Sequence, residues 1–404
     1  MNITRRRLLR ATAAAPILRP GLSRAQETAA IRIGVLTDLS GTYRDNTGPT
    51  SIACCRQAVE EFAESHGLKA EIVSADHQNK PDVASSIARQ WFDQGVDAIA
   101  DVPTSSVALA VSQIAREKDK VLLDASAAAM EITYSQCSPN TIVWSFDTYE
   151  KAQSTGGALV KSGEKTWYFI TADYVFGHSL EEQTAAVVKK HQGEVKGAAR
   201  YPFPDTTDFS AFLQQAATSG ARVLGLANAG ADTVNCVKQA AEFGLNKQMR
   251  IAPLIMFLQD VHSIGLQTAQ GLTTSETFYW DMNDRTRAFT KRVLPKTPRN
   301  YPSQAHASAY AITLHYLKAV QALGPKEAKL SGRMTVARMK SIPTDDDAFG
   351  SGRIRVDGRG EFPSYLLQVK APAESKGEWD LYKVLATTPA SEVVHPLDPK
   401  CNFA

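Results

Sequence analysis

The sequence lacks the motifs of the common hydrolase, metalloprotease and nucleotide-binding families. It contains no Gly-x-Ser-x-Gly, His-Glu-x-x-His, Walker A or Gly-x-Gly-x-x-Gly pattern, and its eight histidines are scattered along the chain. It also has no Cys-x-x-Cys pair and no Cys/His spacing typical of zinc sites. No sequence pattern indicates a nucleophile with a neighbouring base. We therefore expect a protein that is not an enzyme and that holds neither a metal nor a cofactor.

The chain also lacks long apolar runs, and beyond its first 25 residues it has no strong excess of positive or negative charge. No stretch of about twenty apolar residues occurs, which excludes a membrane-spanning helix from the mature protein. The 45 Lys and Arg residues outnumber the 42 Asp and Glu residues only because residues 1–25 carry six arginines and no acid. Without that segment the net charge changes from +3 to −3, so charge gives no reason to expect nucleic-acid binding.

The basic N-terminal segment matches an export signal. Thr4-Arg-Arg-Arg-Leu-Leu-Arg10 has the twin-arginine pattern, a short Ala-rich region follows, and Ser23-Arg24-Ala25 is a small-x-small cleavage site. We predict that residues 1–25 are a twin-arginine (Tat) signal peptide and that the mature protein is periplasmic. The alternative is a disordered basic arm that binds nucleic acid.

Export would place the five cysteines in an oxidising compartment, where disulfides form. Cys54 and Cys55 are adjacent, which strains any bond between them, whereas Cys137 and Cys401 both lie in polar, loop-like contexts. We predict a Cys137–Cys401 disulfide that fastens the C-terminal tail. The alternative is that all of the thiols are free.

Strands and helices alternate along the mature chain at about thirty residues per unit, which is typical of parallel sheets covered by helices. The pattern runs once to about residue 125 and then restarts, with the same order of elements but no residue-level repeat. Beyond residue 277 it changes to a long helix over 303–323, two antiparallel strands over 352–358 and 364–370, and a closing strand. The alternating units have strands over residues 31–36, 68–73, 121–123, 166–170, 223–226 and 251–253.

This order of elements predicts an α/β fold with two Rossmann-like lobes joined by a hinge. We expect the first lobe over residues 30–147 and 278–345, and the second over 148–277 and 346–404. A cleft should lie between them at the carboxyl ends of the strands, where α/β sheets bind ligands.

The stretch from Ile99 to Val111 predicts an anion site. An apolar strand ends before Pro103, and Thr104, Ser105 and Ser106 are residue types that favour the N-cap of a following helix. The start of a helix presents unpaired N–H groups and the positive end of its dipole, which can receive a carboxylate. The alternative is that these hydroxyls only cap the helix.

Several motifs then occur in an order shared with a known family. The chain resembles the solute-binding proteins of ATP-driven (ABC) importers of the branched-chain amino acid (Leu/Ile/Val) class, which have the type I periplasmic binding fold. The resemblance extends over nearly all of the mature chain. It is carried by Ile33–Gly41, the helix ending in Gln90-Trp-Phe92, Ala172–Gly177, Asp208–Leu213, Ala240–Leu245 and Gly271-Leu272.

Gln136–Pro139, Phe278–Asp281 and Asp357–Arg359 are similar to a bacterial subgroup of that class. The subgroup is often linked to the uptake of small carboxylates, including aromatic acids. The resemblance implies a monomeric receptor for a small-molecule ligand, with a membrane permease and ATPase as its partners and no role for nucleic acid.

The resemblance also implies where the ligand is held. The carboxylate would contact the segment after the third strand, Thr104 to Ser106, and the segment after the fourth, Ser126-Ala127-Ala128, where Ala128 replaces the hydroxyl usual in the amino-acid binders. Amino-acid binders of the family carry an acid just after a Pro at a strand end, whereas Pro253–Phe257 contains none. Because a buried ammonium without a counter-charge costs several kcal/mol, this departure disfavours an α-amino acid as the ligand.

Aromatic and amide side chains complete the predicted site. Aromatic rings in predicted turns at strand ends would give apolar area suited to a planar ligand, although each could instead belong to the core of a lobe. Asn228 is a candidate neutral hydrogen-bonding group or a plain turn residue. The aromatic candidates are Tyr43, Tyr174, Phe176, Phe257 and Tyr279.

Three functions remain open on these grounds. The favoured one is an exported solute receptor that binds a small aromatic or aliphatic carboxylate by hinge closure and delivers it to an importer. The second is a receptor of the same fold that serves a sensor or regulator. The third is an exported α/β enzyme, for which the sequence offers no catalytic motif.

Overall fold

The computed structural model describes residues 30–297 and 300–403, and the predicted signal peptide over residues 1–25 lies outside the described residues. None of the helices in these two ranges is long and apolar enough to cross a membrane.

The first unit is a five-stranded parallel sheet with helices on its faces. It contains β1 (Ile31–Thr37), β2 (Ala70–Asp76), β3 (Ala98–Asp101), β4 (Val121–Asp124), β5 (Thr141–Val143), α1 (Gly48–Phe62), α2 (Pro81–Asp93) and α3 (Ser105–Glu117). The strands lie in the order β2-β1-β3-β4-β5. β3 and β4 are fully buried, which explains why their sequences are apolar without alternation up to the final residues Asp101 and Asp124.

The second unit repeats the arrangement with four parallel strands. After α4 (Thr148–Lys151), a π-helical turn (Ala152–Gly156) and α5 (Gly157–Lys161), it contains β6 (Thr166–Ala172), β7 (Glu194–Tyr201), β8 (Val223–Ala227), β9 (Arg250–Pro253), α6 (Val175–Lys190), α7 (Ser210–Thr218), α8 (Ala231–Glu242), α9 (Leu258–Ile264) and α10 (Leu266–Ala269). Its strand order is β7-β6-β8-β9. The two predicted α/β units are thereby confirmed.

The C-terminal part adds helices and two small antiparallel sheets. It contains β10 (Thr273–Glu276), α11 (Asp284–Val293), α12 (Gln304–Leu323), α13 (Pro325–Leu330), α14 (Gly332–Ser341), β11 (Thr344–Asp346), β12 (Gly350–Ile354), β13 (Gly360–Glu361), β14 (Ser364–Val369), β15 (Tyr382–Thr388) and α15 (Ala390–Val393). β12 pairs with β11 and β13, whereas β14 pairs with β10 and β15. The two strands predicted to be neighbours therefore lie in different sheets.

Each lobe has its own apolar core. The first sheet, α1 and α12 share one core, to which Phe278, Ile354 and Phe362 also belong, and the second sheet shares another with Tyr279 and Leu367. Ile354 and Phe362 thus pack in the first core although the predicted division at residue 345 assigns them to the second lobe. We propose that the chain crosses between the lobes near residues 147, 277 and 363.

The predicted disulfide is present. Cys137, between β4 and β5, is bonded to Cys401 near the C-terminus, with the two Cα atoms 5.9 Å apart. The remaining cysteines, Cys54, Cys55 and Cys236, are buried free thiols. The tail that follows β15 in the second lobe is therefore attached to the first lobe.

Candidate functional site

A cavity lies between the two lobes at the carboxyl ends of their parallel strands. The segments that follow β1, β3 and β4 border it in the first lobe, and those that follow β6, β8 and β9 border it in the second. The space between its lining atoms, counted to its open side, is about 340 Å³. It is lined by Tyr43, Asn46, Thr47, Pro103, Ser126, Ala128, Phe146, Tyr174, Phe176, Ala229, Ile255 and Phe257.

Two tyrosines meet at this cavity from opposite lobes. Tyr43 follows β1 and Tyr174 follows β6, and their hydroxyl oxygens are 2.6 Å apart. Phe203 stacks on the Tyr174 ring with a centroid distance of 4.3 Å. Burial raises the pKa of both phenols above the usual value, so both keep their protons. Because only one of the two hydrogens lies between the oxygens, the other is available to a ligand.

Apolar rings form much of the remaining wall. Phe146 and Phe257 lie edge to face with their centroids 6.1 Å apart, and Phe176 is tilted against Tyr174. The three phenylalanines are buried. A wall of this kind offers apolar area and ring-edge contacts to a flat ligand.

Helix N-termini converge on the cavity. Thr47, Tyr174 and Phe257 are the N-cap residues of α1, α6 and α9. Pro103 and Ala229 lie two residues before the starts of α3 and α8. Each helix start carries a partial positive charge that favours an anion, although the first N–H groups of α1 and α8 already donate to Thr37 and Thr42.

None of the described residues that line the cavity has a charged side chain. The carboxyl group of Asp260 lies behind the second-lobe wall. Asp260 accepts from the Asn46 side-chain amide at 3.1 Å and from the Phe257 backbone N–H at 2.8 Å. Burial raises the pKa of Asp260 to about 7. The acid absent from Pro253–Phe257 therefore has no replacement on the surface of the cavity.

The lobes touch each other beside the cavity. The backbone N–H of Ala231 donates to the carbonyl oxygen of Thr42 at 3.1 Å, and Asn46 reaches Asp260 across the same boundary. Gly230 has a φ of 63°, and a Cβ at this position would lie 2.5 Å from the Thr42 carbonyl oxygen. A glycine is thus required for this approach of the lobes.

Ser126 supplies a hydroxyl to the first-lobe wall. It follows β4, and its backbone N–H donates to Asp124 at 3.1 Å. Its hydroxyl donates to the buried carboxylate of Asp101, the last residue of β3, at 2.6 Å. The oxygen of Ser126 is therefore held in place by two neighbouring strand ends.

The structure brings together about half of the predicted ligand-contacting residues. Tyr43, Ser126, Tyr174, Phe176 and Phe257 all line the cavity, as expected for residues that follow strand ends. The side chains of six others do not line it: Thr104, Ser105, Ser106, Ala127, Asn228 and Tyr279.

The predicted hydroxyl cluster after β3 has internal partners instead. Thr104 is the N-cap residue of α3, but its hydroxyl bonds the Asn79 side chain rather than a backbone N–H of the helix. The Ser105 hydroxyl accepts from the backbone N–H of Ala129 at 3.1 Å. Ser106 is half-buried and does not line the cavity. Pro103 is the residue of this segment that lines it.

The other three residues belong to the lobe interiors. Ala127 packs in the core beneath α3, and its neighbour Ala128 lines the cavity. Asn228 accepts from the Thr233 hydroxyl at 2.7 Å, inside the second lobe. Tyr279 packs edge to face on Tyr382, with the rings 5.6 Å apart.

Seven lining residues were not among the named ligand contacts, although one of them, Ala128, lies in the predicted contact segment after β4. A usable signal existed for four of them, because Asn46, Thr47, Pro103 and Ala229 lie in predicted loops at the carboxyl ends of strands. Phe146, at the first crossing between the lobes, carried no such signal, and Ala128 and Ile255 are plain apolar residues.

Comparisons with known proteins agree with this architecture. A family model described as periplasmic binding protein matches residues 30–378. No curated protein matches the chain. A crystal structure of a periplasmic binding protein from Burkholderia mallei is 42% identical, with 93% of this chain and 98% of that chain covered and a TM-score of 0.87.

Two further structures describe ABC transporter components. A branched-chain amino acid ABC transporter periplasmic ligand-binding protein from Burkholderia xenovorans LB400 is 37% identical, with 91% and 97% of the two chains covered and a TM-score of 0.79. An ABC transporter solute-binding protein from R. palustris in complex with benzoate shares the fold at 21% identity, with 89% and 97% covered and a TM-score of 0.77. The chain, with the two-lobed α/β architecture expected from its sequence, belongs to the periplasmic binding protein family.

Proposed function

We propose that this chain is the exported solute receptor of an ATP-driven importer and that it binds a small carboxylate, an aromatic or aliphatic acid, between its lobes. The observation that carries the proposal is the composition of the cavity wall. Helix N-termini and a spare tyrosine hydrogen can hold an anion, and phenylalanine rings can cover an apolar body. The benzoate complex of the R. palustris protein supports the same class of ligand.

The wall also disfavours an α-amino acid. No acidic side chain among the described residues lines the cavity, and the carboxylate of Asp260 behind it already accepts hydrogen bonds from Asn46 and Phe257. An ammonium group enclosed there would lose its hydration without gaining a counter-charge, which costs several kcal/mol.

Binding would act through the hinge. Tyr43 and Asn46 belong to the first lobe, and Tyr174 and Phe257 to the second, so one ligand contacts both lobes only when they are closed. The ligand then stabilises the closed form by its additional contacts. We propose export through the twin-arginine route, a monomeric state, and a permease–ATPase complex as the recipient of the ligand.

A ligand screen tests the proposal. The mature chain, residues 26–404, is titrated by thermal shift and calorimetry with benzoates, phenylpropenoates and short aliphatic acids, and with branched-chain and aromatic amino acids as the second set. We expect acids that lack an amine to raise the melting temperature by mass action. Binding of amino acids alone would leave the receptor function intact and contradict the argument that the wall disfavours an α-amino acid.

The two cavity tyrosines give a second prediction. In the double variant Tyr43→Phe/Tyr174→Phe both hydroxyl hydrogens are gone and the ring packing remains. We expect the Kd for a bound acid to rise about tenfold to a hundredfold, because a hydrogen bond to a charged group contributes about 1.5–3 kcal/mol. Each single variant retains one hydrogen for the ligand and should lose less.

Tyr168→Phe is the matched control, because the Tyr168 hydroxyl lies outside the cavity beside Gln215. Calorimetry of the four variants gives the comparison. A double variant that binds the acid as tightly as the unmodified protein would place the carboxylate away from the tyrosines.

A further inference from the structure

The Ser126 hydroxyl has only one hydrogen, and the structure shows where that hydrogen goes. Ser126 Oγ lies 2.6 Å from Asp101 Oδ1, and an ionised carboxylate can only accept. The Ser126 backbone N–H is also occupied, by Asp124. The oxygen of Ser126 therefore offers the cavity its lone pairs and no hydrogen.

Asp101 meets Ser126 from a buried position at the end of a strand. It is the last residue of β3, is fully buried, and has its second carboxylate oxygen without a hydrogen-bond partner among the described residues. Its φ of 79° is unusual for a non-glycine residue and shows that the strand end is held in a strained conformation at this point. The Asp101 side chain therefore fixes the direction of the Ser126 O–H bond.

We infer that Ser126, oriented by Asp101, is a specificity-determining residue that requires a hydrogen-bond donor on the ligand. This inference rests on the proposed carboxylate-binding function and narrows it. The ligand class becomes a small carboxylic acid that also carries a hydroxyl on its body. A plain acid would leave the Ser126 lone pairs without a partner, or would place its own negative charge against them.

The expected discrimination follows from that unpaired acceptor. A site that presents a buried hydrogen-bonding group to a substrate hydroxyl rejects the analogue that lacks it, because the group of the protein loses its partner. We expect a hydroxylated acid to bind about tenfold to a hundredfold more tightly than its counterpart without a donor.

The preference should also depend on pH. Burial raises the pKa of Asp101 to about 6, so the carboxylate is mostly ionised at neutral pH. The titratable groups that act on Asp101 are Asp38, Asp124 and the thiols of Cys54 and Cys55. When Asp101 is protonated it can donate to Ser126, which then turns its own hydrogen to the cavity. The preference for a donor should therefore weaken as pH falls through the pKa of Asp101.

The test uses pairs of ligands of nearly equal size. Each of 2-, 3- and 4-hydroxybenzoate is compared with the corresponding fluorobenzoate, which cannot donate, and hydroxylated short aliphatic acids are compared with their parent acids. Calorimetry on the unmodified mature protein is run at about pH 8 and about pH 5, on either side of the Asp101 pKa. We expect at least one hydroxylated acid to be preferred by about tenfold or more at the higher pH and by less at the lower.

Ser126→Ala supplies the second arm, and Ser106→Ala is its control, because Ser106 lies outside the cavity lining. The preference should disappear in Ser126→Ala and persist in Ser106→Ala. Two results would overturn the role of Ser126: acids that bind equally well with and without a donor, or a preference for the donor that persists in Ser126→Ala. Either result would leave the proposed carboxylate-receptor function unaffected. Failure of every acid to bind would instead overturn the proposed function.

Discussion

Replacement of Asp147 by alanine is expected to lower the free energy of unfolding by about 3–5 kcal/mol, because it leaves a buried arginine without its counter-charge. Asp147 directly follows Phe146 at the first crossing between the lobes. Its carboxylate lies 2.6 Å from the Nε of Arg359, and both side chains are about 1% exposed. The same carboxylate accepts from the backbone N–H of Glu150 at the start of α4. One side chain thus joins two segments near the hinge.

The pH dependence of this contribution has a definite sign. Burial alone would raise the pKa of Asp147, but the Arg359 guanidinium and His395 together bring it below its usual value. A carboxylate whose pKa is lower in the folded protein stabilises the fold above its unfolded pKa of about 3.9. That stability is lost as pH falls through the lowered pKa.

Graded variants measured by urea denaturation test the assignment. Asp147→Asn should lose less stability than Asp147→Ala, because an amide oxygen can still cap α4. Removal of both partners, as in Asp147→Leu/Arg359→Met, should cost less than the sum of the single variants, because no unpaired charge remains. If the two single losses simply added, the pair would not act as a unit.

Loss of the Cys137–Cys401 disulfide is expected to have an effect of similar size. The bond links residues separated by 264 positions. In the chain-entropy description, closing so long a loop restricts the unfolded chain enough to contribute about 5 kcal/mol, and the loss of a native disulfide typically costs about 2–5 kcal/mol. Cys137→Ser/Cys401→Ser should therefore lower the urea midpoint strongly under oxidising conditions.

A reductant provides the internal control for the disulfide. It should bring the unmodified protein to the stability of the double serine variant and leave that variant unchanged, because Cys54, Cys55 and Cys236 are free thiols in both. Equal stability of the oxidised protein and the double variant would show that the bond does not restrain the unfolded chain to a useful extent.

The same disulfide matters for movement between the lobes. β15 pairs with β14 in the sheet beside the second core, and the chain then passes through α15 to Cys401 on the first lobe. Close to the bond, the His395 ring lies 2.9 Å from the Thr133 hydroxyl. The tail therefore connects the lobes a further time, in addition to the crossings that we propose near residues 147, 277 and 363.

Local sequence patterns predicted the two α/β units, and the loop-like contexts of Cys137 and Cys401 predicted the disulfide between them. Strands such as Ala98–Asp101 are continuous apolar runs, and helices such as Gln304–Leu323 begin at recognisable N-cap residues, in that case Ser303. Turns at the strand ends identified Tyr43, Tyr174 and Phe257 as cavity residues. The carboxyl ends of parallel strands meet at one edge of a sheet whatever the rest of the chain does.

Side-chain partners and lobe membership depended on distant parts of the chain. Thr104 and Ser105 have the residue types of an anion site, yet Asn79 and Ala129 occupy their hydroxyls. The strands at 350–354 and 364–369 look like neighbours in sequence, but the chain crosses between the lobes after Phe362. A hydroxyl has a single hydrogen to donate, and a strand can pair along either of its two edges. The partner of the hydroxyl and the neighbours of the strand are decided only when distant segments of the chain pack together. Propensity therefore specified the local elements of this protein, and long-range packing selected the side chains that face its ligand.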